Sequence, residues 1–137
     1  MSVRSFIDTN ILIYTDDKAF PAKQRRAVEV VAELRRERTG VVSMQVLQEY
    51  FVAATRKLHV EAGVARRKIE IFAQFDLAKL EVADLLSAVD LHRLHGISFW
   101  DSLILRAATQ TGCSVLLTEN MQDARSFDGI RIVNPFR

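Results

Sequence analysis

Short runs of consecutive apolar residues alternate along this chain with longer segments whose apolar residues recur every three or four positions. The short runs are "VRSFID", "GVVS", "CSVLLT" and "IRIV". A strand that is apolar on successive residues needs cover on both faces, because its side chains point alternately to the two sides of the sheet. The longer segments supply that cover. In "PAKQRRAVEVVAELRRER" the residues Ala27, Val28, Val31 and Leu34 have helical spacing, and Pro21 stands where a helix starts. Ser43 is placed to cap "MQVLQEYFVAATRKL", and "TNILIY" begins a helix or turn. "EAGVARRKIEIFAQF" carries Val64, Ile69, Ile71, Phe72 and Phe75; "DLLSAVDLHRLHG" stops at Gly96, and "SFWDSLILRAATQTG" stops at Gly112. "LEVA", residues 80–83, is the expected third strand. This alternation predicts an α/β fold: a parallel sheet between two helical layers, with right-handed crossovers.

The chain's 137 residues suit one domain spanning residues 1–137. No apolar run reaches the ~18 residues of a membrane span, and no basic, then apolar leader opens the chain, so a cytoplasmic protein with no membrane partner is expected. The one cysteine, Cys113, lies in an apolar strand and reads as a small buried hydrophobe. A net charge of +2 does not by itself require a nucleic acid partner. The basic runs at Lys23–Arg26, Arg35–Arg38 and Arg66–Lys68 read first as solvated helix faces.

The acids are more informative than the cations. Ligands of open parallel sheets bind beyond the carboxyl ends of the strands. Asp8 ends the first strand in "SFIDTNILIY", amid Phe6, Ile7, Ile11, Leu12 and Ile13. Glu119 follows the fourth strand. Glu49 lies within the first two turns of the helix leaving the second strand, with Leu47, Tyr50 and Phe51 as apolar neighbours. Asp101 opens the helix that leads into the fourth strand, which starts at the same edge. Four acids distant in sequence are thus expected together. Such a group repels itself unless protons or a cation neutralise it, and hard oxygen donors suit Mg²⁺ or Mn²⁺.

Each acid also has a structural reading. Asp8 is a good helix cap. Ser98-Phe99-Trp100-Asp101 matches a capping box, which is as strong a reading of Asp101 as catalysis. Glu49 fits the polar side of its helix, and Glu119 and Asp123 fit a loop. His92 and His95 suit a helix C-terminus. Trp100 suits packing on the sheet, with base stacking as the functional alternative.

Taken in order, "FIDTNILIY", "LQEYFV", "SFWDSLIL", "LLTENMQD" and "IRIVNPF" resemble PIN-domain ribonucleases, and most closely the VapC-type toxins of prokaryotic toxin–antitoxin pairs. The resemblance covers nearly the whole chain. It implies a three-layer α/β/α PIN-like domain with a parallel sheet of about five strands in the order 3-2-1-4-5. It implies a Mg²⁺- or Mn²⁺-dependent endoribonuclease whose metal ligands are Asp8, Glu49 and Asp101. Thr9 would set its hydroxyl near the metal, Asn10 would orient the carboxylates, and Thr118 would precede the fourth site. There Asn120 stands where relatives often carry an acid, and the adjacent Glu119 is the alternative ligand. Implied partners are an RNA substrate, a cognate antitoxin and a second copy of the chain, with "VEVVAELRR" and "KIEIFAQF" as apolar surface for a partner helix. A receiver-type signalling domain, an aspartyl phosphatase and a degenerate PIN domain that only binds RNA or protein are the rival readings. The first lacks a lysine after the last strand, where Asn134-Pro135-Phe136 stands, and the second lacks an acid at position 10.

Overall fold

Four apolar side chains, Phe6, Val41, Leu116 and Ile132, stand side by side across four strands, and none is exposed to solvent. Burying each contributes roughly 1.5–3 kcal/mol, so this row anchors the sheet. The computed structural model describes residues 3–121 and 125–137. Its strands are β1 (Ser5–Ile7), β2 (Gly40–Ser43), β3 (Asp76–Ala78), β4 (Val115–Leu117), β5 (Ser126–Phe127) and β6 (Ile130–Val133). Its helices are α1 (Thr9–Tyr14), α2 (Pro21–Glu37), α3 (Met44–Arg56), α4 (Ala62–Phe72), α5 (Val82–His95) and α6 (Phe99–Gln110).

The sheet order is β3-β2-β1-β4-β6-β5. All pairings are parallel except that of β5 with β6. The expected order 3-2-1-4-5 is therefore present, with "IRIV" as β6 and one extra antiparallel edge strand, β5. Two residues are too few to show a period, so β5 leaves no mark on the sequence. Helices α1 to α4 pack on one another, and α5 packs on α6. The two groups cover the two faces of an α/β/α sandwich.

Two expectations shift. "LEVA" is not a strand: Glu81 precedes α5 as its N-cap residue, and Asp84 Oδ2 accepts the Glu81 N–H at 2.9 Å. Leu80 and Val82 are 36% and 71% exposed, so their apolar run is helix surface rather than sheet. The third strand lies just before, at Asp76–Ala78, where Leu77 pairs with Val42. In α2 the buried stripe is Ala27, Val30, Val31 and Leu34, while Val28 is turned outward. That stripe packs against β2, and Phe72 of α4 packs edge-on against Tyr50 of α3, so these helices spend their buried apolar faces within the fold.

The caps fall as expected. Ser43 Oγ accepts the Val46 N–H, and α5 ends on Gly96 at φ 68, a left-handed conformation that glycine takes without Cβ strain. His92 Nδ1 lies 2.6 Å from the Ile97 carbonyl, and His95 packs edge-on against Phe127. Cys113 is buried, and burial pushes its thiol up from its ordinary range.

Candidate active site

The strand order reverses between β1 and β4, since the chain winds from β1 towards β3 on one side and continues from β4 on the other. A crevice opens at the carboxyl edge of such a switch point. Asp8 follows β1 and Thr118 follows β4, so both sit there. Asp8 is 5% exposed. Its Oδ1 accepts the Thr9 N–H at 2.7 Å, which is the cap of α1. Its Oδ2 accepts the Thr118 hydroxyl at 2.8 Å and the Asn10 amide at 3.3 Å. Asn10 Nδ2 also reaches Thr118 Oγ1, and its Oδ1 accepts the Glu119 N–H at 3.0 Å. Asn10 thus ties the end of β1 to the segment after β4.

These donors do not fully compensate the buried charge. Burial, the largest influence, raises the Asp8 carboxyl, and the Thr118 and Thr9 hydrogen bonds lower it. The Asp101 and Glu49 carboxylates raise it further, and the balance leaves it pushed up to about 6. Asp8 therefore feels both other acids through space.

Glu49 arrives from α3. Its Oε1 accepts the Thr9 hydroxyl at 2.7 Å, so Thr9 joins two of the acids, through its backbone and its side chain. The apolar neighbours named for Glu49 do not crowd it: Leu47 and Tyr50 turn into the core on the opposite side of α3, leaving Glu49 exposed. Asp101 arrives from the first turn of α6. Ser98 caps that helix, its Oγ accepting the Asp101 N–H at 3.0 Å. Only half of the expected capping box forms. The Asp101 carboxylate has no hydrogen-bond partner among the described residues and faces the cleft.

Asp8, Thr9, Asn10, Glu49, Asp101 and Asn120 line one cleft of about 250 Å³, with Ile13, Ala53, Trp100 and Ile104 as its apolar wall. Thr118 lies beneath it, fully buried, and its Oγ1 accepts the Asn120 N–H at 3.1 Å. Glu119 is not part of the lining. Its carboxylate accepts the Tyr14 hydroxyl at 2.6 Å and is paired with Lys23 Nζ at 2.5 Å. Burial acts to raise that carboxyl, but Lys23 and Tyr14 outweigh it and hold it below its ordinary value. Asp123 lies outside the described residues.

Three contributors went unread in the sequence. Gln45 Nε2 reaches Glu49 Oε2 and the Trp100 carbonyl, both at 3.4 Å, and so bridges α3 and α6. Its place one helical turn before Glu49 was an available signal. Tyr14 and Lys23 left none, since they meet Glu119 from 105 and 96 positions away.

The donor set is hard oxygen throughout, and its central acid is destabilised as an anion by burial first and by the Asp101 and Glu49 carboxylates second; a divalent cation would offset both. Among the described residues no three His, Cys, Asp or Glu side chains converge closely enough to hold an ion alone. Mg²⁺ and Mn²⁺ do not require such a cluster, because they keep several waters in their coordination shell, and a carboxylate can reach them through one of those waters.

The family model described as "PIN domain" matches residues 5–127. No curated protein matches the chain. Solved structures do. A toxin–antitoxin complex from Klebsiella pneumoniae is 21% identical with a TM-score of 0.69, over 96% of this chain and 97% of that one. VapBC2 from Rickettsia felis, bound to a DNA fragment from their promoter, is 20% identical at TM-score 0.64, over 93% and 96%. The sarcin-ricin loop cleaving toxin VapC20 of Mycobacterium tuberculosis is 18% identical at TM-score 0.61, over 82% and 86%.

Proposed function

From its place in the PIN-domain family, to which this chain belongs, we propose that it is a metal-dependent endoribonuclease and the toxin of a toxin–antitoxin pair. The observation that carries this reading is the shared cleft of Asp8, Glu49 and Asp101 at the β1/β4 crevice. These three would hold Mg²⁺ or Mn²⁺, which supplies an activated water and neutralises the charge that develops on a phosphodiester. The chain's own part is positional. Thr9 holds Asp8 and Glu49 in fixed relation, and Asn10 and Thr118 fix the Asp8 oxygens. A mostly apolar groove beside the cleft shares Glu49 and Ala53 with it and includes Arg56 and Lys57, whose cations would suit the RNA backbone.

The structural neighbours are a toxin–antitoxin complex, a VapBC pair and an RNA-loop-cleaving toxin, which supports an antitoxin partner and an RNA substrate. Exposed Val82, Leu85 and Leu86 on α5 suit a second copy of the chain, so a homodimer belongs to the reading. No helix among the described residues is long and apolar enough to cross a membrane. The test is direct. Purified protein cuts RNA with Mn²⁺ or Mg²⁺ and stops in EDTA. RNA binding without cleavage under any divalent ion would instead mark a degenerate, binding-only domain.

The fourth position gives a sharper expectation. Asn120 lines the cleft beside Asp101, whereas the Glu119 carboxylate is held by Lys23 and Tyr14. Asn120→Asp adds a charged ligand and lowers the metal concentration for half-maximal cleavage by roughly tenfold, since ligand charge tunes ion affinity. Glu119→Gln leaves that concentration unchanged and costs about 1 kcal/mol of stability through its ion pair. A metal titration of cleavage rate separates them. If only Glu119→Gln moves the curve, Glu119 is the ligand; if neither does, three carboxylates suffice.

A further inference from the structure

We propose that the indole of Trp100 is a stacking platform for an RNA base beside the scissile phosphate, an inference that rests on the ribonuclease reading above. Trp100 is 61% exposed, although it belongs to the first turn of a helix that packs closely elsewhere. An indole left open at the lip of a cleft offers a large flat apolar face to a ligand that enters it. The cleft is divided chemically. Its lining is of two kinds, the carboxylates of Asp8, Glu49 and Asp101 and the apolar side chains of Trp100, Ile104 and Ile13. A nucleotide has the same division, a charged phosphate and a flat apolar base.

The ring is also held in place. Phe99 stands against it edge-on, with centroids 5.2 Å apart and planes at 66°. The Trp100 backbone carbonyl accepts from Gln45, which also touches Glu49, so the backbone that carries the platform is tied to the acids through one side chain. A platform fixed relative to the carboxylates would set which phosphate lies over them. Stacking accepts any base, so the platform favours unpaired RNA without demanding a sequence.

Trp100 is the chain's only tryptophan, so intrinsic fluorescence reports on this ring alone. The probes are a decaadenylate RNA and an abasic ribose-phosphate of the same length, titrated in EDTA so that no cleavage occurs. The RNA is expected to quench the emission saturably, and the abasic chain to leave it unchanged. Trp100→Ala should weaken RNA binding by roughly 10- to 100-fold, while Trp100→Phe retains most of it. With Mn²⁺ present, Trp100→Ala should raise KM far more than it lowers kcat, because stacking serves ground and transition states alike.

If the wild type cleaves RNA while RNA leaves the emission unchanged and Trp100→Ala leaves KM unchanged, the platform is overturned and the nuclease reading stands. If the wild type does not cleave at all, the nuclease reading fails, and the EDTA titration still judges the platform. RNA binding without quenching, together with an emission shift on adding an amphipathic antitoxin helix, would make Trp100 a protein-docking residue and sink the proposal.

Discussion

Replacing Asp8 with asparagine is expected to abolish metal-dependent RNA cleavage and to leave the metal-free protein at least as stable as wild type. Removing a group that merely orients a metal ligand costs about 10- to 100-fold. Removing the proposed ligand itself, which Thr9, Asn10 and Thr118 hold in place, should exceed that. The stability effect runs the other way because Asp8 is strained as an anion. Its carboxyl is raised from 3.8 to about 6 in the folded protein. Below pH 4 it is neutral whether folded or unfolded and changes nothing. Between pH 4 and pH 6 the unfolded chain releases the proton and the folded protein keeps it, so stability falls as pH rises. Above pH 6 the loss is complete, at about 3 kcal/mol. The asparagine amide keeps an oxygen to accept the Thr9 N–H and never ionises, so the Asp8→Asn variant should lose most of this fall. Denaturant melts in EDTA at pH 4 and pH 7.5 measure it. Wild-type cleavage by the variant, or an unchanged pH slope, would refute the assignment.

Asp101 and Ser98 should separate function from stability within one helical turn. The cap of α6 belongs to Ser98 Oγ, which accepts the Asp101 backbone N–H. The Asp101 carboxylate faces the cleft and has no partner among the described residues. Asp101→Asn should therefore reduce cleavage by about 100-fold or more with little change in melting. Ser98→Ala should lower stability by about 1 kcal/mol and retain cleavage. A capping role for the carboxylate would make Asp101→Ala melt early as well. A variant set in which Asp101→Asn still cleaves at the wild-type rate would remove Asp101 from the site.

Local pattern carried a good deal of this. The consecutive apolar residues of Phe6–Ile7, Val41–Val42 and Val115–Leu117 can be satisfied only between two layers, and helical periods between them supply the layers. Strand ends then follow, and with them the edge on which Asp8, Glu49 and Asp101 stand. Where period is weak, the reading slipped. β3 is a short edge strand, and the exposed Leu80 and Val82 imitated it a few residues later. The local argument for Glu49 also failed, because Leu47 and Tyr50 are neighbours in sequence but point to the other side of α3.

The sequence by itself determined the α/β class and the acids at one edge, because these depend on local periods and on the direction in which each element runs; the order of the main strands followed only from the family resemblance. Only the tertiary structure decided which groups engage which. It turned Glu119 towards Lys23 and Tyr14, left Asn120 at the cleft, bound Thr9 to Glu49, and raised Asp8 to about 6 through burial and two distant carboxylates. Such outcomes depend on distances between residues far apart in the chain, and on the water removed when helices close over the sheet. No period or motif encodes either.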